Sequence, residues 1–239
     1  MTRALDLVAV DAGYDGLAVV RDLTMHVDEG EIVALLGPNG AGKTTTLLTI
    51  SGLLPVLAGS IDVLGGGAPS TRRPERVARR GVAHVPEHRA LFHGLTVREN
   101  LRLGVTHGRA PIDRVLDFFP ALAPLLDRPA GLLSGGEQQM LALGRALAST
   151  PRLLMVDEMS LGLAPIIVEG LLPVLRRVVD ETGAAVLLVE QHVHLALEVA
   201  DRAYILNHGD LVASGPTTEL SDQAAILEAT YLGDGPPAR

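Results

Sequence analysis

The sequence has no cysteine and no tryptophan, and only three phenylalanines and three tyrosines among 239 residues. Without cysteine there is no disulfide framework and no Cys-ligated metal, which fits a reducing compartment. So few aromatics leave little on which nucleic-acid bases could stack. Positive charge is short as well: 20 Lys and Arg face 28 Asp and Glu, for a net charge of −8. That balance argues against a nucleic-acid partner, which needs a basic face. No uninterrupted apolar run reaches the roughly 20 residues of a membrane-spanning helix. Residues 1–10 carry Arg3 and Asp6 and alternate too often for a signal peptide. If the protein works at a membrane, another subunit is expected to supply the spans.

What is present is apolar material for one sizeable domain, 47% of the chain. Four short apolar runs, 32–36, 153–156, 186–189 and 204–206, read as strands buried on both faces, as a parallel sheet requires. Helix-like segments at 43–51, 136–149, 166–181 and 193–200 lie between or after them, the α/β doubly wound pattern. Pro173 inside the third predicts a kink or break there. Residues 4–30, with 61–63, read as short antiparallel strands and turns. The stretch 88–150 is poor in strands and reads as a helical insertion. Gly65-Gly66-Gly67 reads as a surface turn, and 233–239 as a frayed tail.

Three motifs carry chemistry. Gly37-Pro38-Asn39-Gly40-Ala41-Gly42-Lys43-Thr44 fits G-x-x-x-x-G-K-[ST], between a strand and a helix. Its glycines let backbone N–H groups curl around phosphate oxygens, and the following helix aims its N-terminal dipole at the same charge. Lys43 is expected to bridge the β- and γ-phosphates, and Thr44 to ligate Mg²⁺ with Thr45 alongside. Asp157-Glu158 closes an apolar strand, so both carboxylates can face a ligand at its C-terminal edge. Asp157 is expected to hold Mg²⁺ through water, and Glu158 to accept a proton from the attacking water. Leu133-Ser134-Gly135-Gly136-Glu137-Gln138 reads as a second anion site. Ser134 is placed to cap a helix whose free N–H groups Gly135 and Gly136 leave approachable.

Together these motifs resemble the ATP-binding cassette (ABC) ATPases over nearly the whole chain. The resemblance implies a P-loop NTPase (RecA-like) α/β core with a small antiparallel β subdomain and an inserted helical subdomain. The core would comprise 1–87 and 151–239, and the helical signature subdomain 88–150. It implies ATP and Mg²⁺, and two cassettes, identical or not, that sandwich ATP between the phosphate loop of one and Ser134, Gly135, Gly136 and Glu137 of the other. It further implies transmembrane permease subunits, indirectly a solute-binding protein, and a place on the cytoplasmic face of the membrane. Tyr14 stands where the family places an aromatic against adenine. The detail is similar to the ATPases of branched-chain (hydrophobic) amino-acid importers. Val85-Pro86-Glu87-His88-Arg89 before Leu95-Thr96-Val97-Arg98-Glu99-Asn100-Leu101 carries this. So do Ser160-Leu161-Gly162-Leu163-Ala164-Pro165, Val189-Glu190-Gln191 before Ala200-Asp201-Arg202, and the tail Tyr231-Leu232-Gly233.

Three positions depart from the wider family pattern. Glu87 replaces a Gln that touches Mg²⁺ and the attacking water, and it adds charge beside the γ-phosphate. Ala164 stands where Asp is common. Gln191 falls where a switch histidine is usual, with His192 beside it. Gln191 can donate a hydrogen bond to the γ-phosphate but carries no charge, so it is expected to take the sensor role at some cost in rate. His84, His88, His93, His192 and His194 lack a carboxylate or Cys at ligand spacing, and are expected to be surface or loop residues. Rival readings are an ABC ATPase for urea, amides or a lipid, or a non-transport ABC protein. A P-loop kinase or GTPase would need an acceptor site or a guanine-reading motif, and neither is found.

Overall fold

The computed structural model describes residues 2–104 and 112–221. The tail motif Tyr231-Leu232-Gly233 and the expected fraying of 233–239 lie outside them. Among the described residues, nine strands form two sheets. The first is antiparallel, in the order β2 (Leu17–Asp28), β1 (Arg3–Tyr14), β4 (Val56–Val63). The second has six strands: β5 (Val82–Val85), β6 (Leu153–Asp157), β7 (Ala185–Glu190), β3 (Ile32–Leu36), β8 (Arg202–Asn207) and β9 (Asp210–Pro216). Its first five strands run parallel, and β9 pairs antiparallel with β8. The helices are α1 (Lys43–Ile50), α2 (Glu75–Arg79), α3 (Val97–Leu103), α4 (Ile112–Phe118), α5 (Gly135–Leu147), α6 (Pro165–Thr182), α7 (Val193–Leu197) and α8 (Thr217–Ser221).

Strand alternation splits the interior into two cores. Ile32, Ala34, Leu36, Leu154, Val156, Val186 and Leu188 point to a core shared with α3 to α7. Val33, Leu35, Leu153, Met155, Leu187 and Val189 point to one shared with α1 and the antiparallel sheet. A period of two on strands covered on both faces gives the unbroken apolar runs of the sequence.

The antiparallel strands are not short. β1 and β2 run 12 residues each, interrupted by bulges near Leu7/Val10, with Ala9 and Asp22 at positive φ. Asp15 (φ 51) and Gly16 (φ 80) join them in a turn with two positive φ values, the geometry that Asp-Gly favours in tight hairpins. α6 is not broken at Pro173. Pro173 and Glu169, whose carbonyl loses its donor, are both exposed, so water can take that bond. His84 is not a loop residue, and it is only partly exposed. It lies in β5 with its Nδ1 3.1 Å from Ser51 Oγ, and burial pushes its ring down to about 4. Gly65 and Gly67 form the expected turn, with their N–H groups donating to the Asp62 carboxylate.

Candidate functional site

β3 is fully buried and delivers the phosphate loop to the C-terminal edge of the sheet. Two of its glycines are sterically required. At Gly37 a Cβ would sit 2.5 Å from the Leu206 carbonyl oxygen, and at Gly42 (φ 102) one would sit 2.6 Å from Val20 Cγ2. Pro38 accepts from the Ala41 N–H, and Ala41 accepts from that of Gly209, which moors the loop to the β8–β9 turn. α1 starts at Lys43, so the N–H groups of its first turn face the loop.

Lys43 is the chain's one lysine and is 4% exposed. Its Nζ donates to the carbonyls of Gly37 (2.8 Å) and Pro38 (3.1 Å) and lies 3.2 Å from Glu158 Oε1. Asp157 is 2% exposed, and its Oδ2 accepts from Thr44 Oγ1 at 3.2 Å. Its Oδ1 is buried without a hydrogen-bond partner. Burial, with repulsion from Glu158 and Glu87, pushes the Asp157 carboxyl up to about 6 against the Thr44 hydrogen bond and the Lys43 charge. Asn39, Gly40, Gly42 to Thr45, Glu87, Glu158, Val19 and Leu161 line a groove of about 400 Å³. A larger cleft, about 600 Å³, lies at the ends of α5 and α6 and holds none of the expected site residues.

The remaining expected residues lie elsewhere. Ser134 caps α5 in a reciprocal box: its N–H donates to Glu137 Oε2 at 2.7 Å, and its Oγ accepts from the Glu137 N–H. Those bonds hold the Glu137 carboxyl below its usual range. Thr96 and Glu99 repeat the box on α3. A Cβ on Gly136 would come within 2.9 Å of Ile167 Cγ2, and one on Gly135 within 3.3 Å of Leu163 Cδ2. None of residues 134–137 lines the phosphate groove. Tyr14 is 46% exposed at the β1–β2 hairpin, also off the groove lining. Gln191 directly follows β7, whose last residue, Glu190, pairs in register with Leu36 beside Gly37. Gln191 is half-buried and His192 exposed.

Two contacts escape local reading. Glu190 is buried and binds the N–H and hydroxyl of Ser160. Arg89 donates from Nε to Gln139 (2.8 Å) and from Nη1 to Gln138 (3.2 Å), while Arg145 donates to the carbonyls of Ala90 and Arg89. The loop after Glu87 is therefore tied to the signature helix. A buried acid ending an apolar run was the available signal for the first; the second had no local one.

The family model described as ABC transporter matches residues 20–160. The chain is 42% identical to the high-affinity branched-chain amino acid transport ATP-binding protein BraG of Pseudomonas aeruginosa, over 94% of this chain and 97% of that one. The chain belongs to the ABC transporter family. This ABC ATPase is also 34% identical to the lipopolysaccharide export system ATP-binding protein LptB of Escherichia coli, over 92% of its own length and 93% of LptB. A solved ATP-binding subunit of an ABC transporter superposes on it with a TM-score of 0.80 at 31% identity, covering 93% of this chain and 94% of that one. The family and the P-loop NTPase fold expected from LSGGEQ and its neighbours are thus borne out. The ABC ATPase binds ATP and hydrolyses it to ADP and phosphate, coupled to transport. Among the described residues, no helix is long and apolar enough to cross a membrane.

Proposed function

We propose that this ABC ATPase powers uptake of branched-chain or other hydrophobic amino acids through a separate permease, on the cytoplasmic face of the membrane. The identity to BraG over nearly the full length of both chains carries this reading. Two cassettes, this chain with a copy of itself or with a related subunit, would enclose ATP. A solute-binding protein would deliver cargo to the permease. The similarity to LptB favours one second reading, export of a lipid. Ala83, His84, Phe92, Leu103, Ala142 and Arg145 line a groove beside the Glu87 loop, with Phe92 and Leu103 each 55% exposed. We assign the permease contact there. Residues 88–150 would move as a helical unit against 1–87 and 151–239.

In the proposed site, Gly37 to Thr45 cradle the phosphates and Lys43 holds the γ-phosphate. Tyr14 contacts adenine. Ser134, Gly135, Gly136 and Glu137 serve the nucleotide held by the partner cassette. Glu158 accepts the proton of the attacking water, and Gln191 senses the γ-phosphate. The unpartnered Oδ1 of buried Asp157 fits a cation site. Asp157, Thr44 and Glu87 would hold Mg²⁺, which neutralises charge on the phosphates when bound. Among the described residues, no group of three or more His, Cys, Asp or Glu could hold a metal ion. Mg²⁺ needs no such group, since it keeps several waters and takes phosphate oxygens.

Two predictions arise here. Burial pushes the Asp157 carboxyl up to about 6, so protonation near and below that pH should compete with cation binding there. Affinity for Mg-nucleotide should fall by up to about tenfold per pH unit below 6 and level off above it. Calorimetric titration from pH 5 to 8 checks this, and Asp157→Asn should flatten the profile. Gln191→Ala should slow hydrolysis about ten- to a hundredfold, the loss of a hydrogen bond to a charged group worth about 1.5–3 kcal/mol. His192→Ala should leave it unchanged; the opposite ATPase result would move the sensor to His192.

The function is tested by isolating the tagged chain from detergent-solubilised membranes, identifying its partners and reconstituting the complex. ATP-dependent uptake of leucine into proteoliposomes is expected. Lipid extraction without amino-acid uptake would favour the second reading, and co-isolation with ribosomal proteins would sink both.

A further inference from the structure

Glu190 ends β7 and is 1% exposed. Its Oε1 accepts from the Ser160 N–H at 3.0 Å and its Oε2 from Ser160 Oγ at 2.6 Å. An acid this buried is costly unless it is bonded in such a way. Ser160 belongs to the loop that begins at Glu158. Glu158 sits at φ 45, a left-handed conformation that a side chain beyond glycine adopts at a cost and keeps only where its surroundings impose it. Its N–H donates to the Val189 carbonyl at 2.9 Å. β7 therefore grips the loop twice in succession, by main chain at Val189 and by side chain at Glu190. Further along the same loop, Leu161 lines the phosphate groove. Glu190 itself is not part of that lining, and its hydrogen bonds to Ser160 link it to the loop that is.

We propose that Glu190 is a positioning residue for hydrolysis: by holding Ser160 it fixes the turn at Glu158 and aims the Glu158 carboxylate into the phosphate groove. The inference rests on the base role proposed for Glu158. The same anchor sets where the chain leaves β7 toward Gln191, one residue on.

The test separates turnover from binding. In the reconstituted complex, Glu190→Ala should lower kcat at least about tenfold, since small misplacements of a catalytic group cost that much or more. Affinity for a non-hydrolysable ATP analogue should stay within about twofold. Glu190→Gln keeps an acceptor for the Ser160 N–H and a polar partner for its hydroxyl, and should recover most of kcat. Ser160→Ala, which loses only the hydroxyl bond, should fall between them and serves where Glu190→Ala fails to fold. Unchanged kcat in Glu190→Ala or Ser160→Ala overturns the proposal. So does Glu190→Gln as slow as Glu190→Ala, or an equal loss of affinity and turnover. Glu158→Gln is the control: if it hydrolyses ATP at the parental rate, the base assignment fails, independently of Glu190.

Discussion

Glu158→Gln should abolish turnover while leaving ATP bound and two cassettes held together. A positioned general base contributes about 10²–10⁴-fold in rate, and hydrolysis should fall by that factor. Glutamine matches the size of glutamate and keeps an oxygen for the Lys43 contact now made at 3.2 Å, so the groove should hold its shape. It removes one of the charges that push the Asp157 carboxyl up. The pH below which Mg-nucleotide affinity fails should therefore move downward in this variant. On the proposed sandwich, residues 134–137, which do not line this chain's own groove, would close over ATP held by a second cassette. Light scattering with Mg-ATP should report a stable dimer for the variant and a transient one for the parent. A variant that stays monomeric while hydrolysis is lost would count against the sandwich.

Lys43→Ala should cost nucleotide affinity. The ammonium carries three N–H donors, and a hydrogen bond from it to a charged phosphate is worth about 1.5–3 kcal/mol. Loss of even one such bond to phosphate weakens binding about ten- to a hundredfold, measurable by calorimetry with ADP or ATP. The variant also leaves the Glu158 carboxylate beside Asp157 without its cation, so a lower melting temperature is expected alongside. A chemical form of the same test needs no mutation. Lys43 is the one lysine, so a lysine-selective acylating reagent should yield a single acyl-lysine, slowly because the side chain is buried, and more slowly still with ATP present. Unchanged affinity in Lys43→Ala would remove the phosphate-loop assignment.

The parts of the fold that could be read from the sequence are those whose physics is local. β3, β6, β7 and β8 stand out because both faces are covered, so no polar residue interrupts them. β5 has the sequence VAHV, and His84 in an edge strand hides it. β9 is half-exposed along its length and gives no apolar run. Bulges make β1 and β2 look shorter than they are, because each extra residue shifts the alternation. At the site, the phosphate loop, the acid pair and the Ser134 cap depend on neighbours within a few positions. The Glu190–Ser160 and Arg89–Gln139 contacts join residues 30 and 50 positions apart, and only folding brings them together. The neutral, strand-bound His84 escaped because burial, not spacing, decides its state.

The ion pair between Lys43 and Glu158 has a further consequence. On the proposed roles, the residue that grips phosphate and the residue that activates water hold each other at 3.2 Å. Arriving phosphate competes for the lysine and, in taking it, releases the glutamate to act. On those roles the pair would act as an interlock: the arriving phosphate that takes Lys43 is what frees the Glu158 carboxylate to face water.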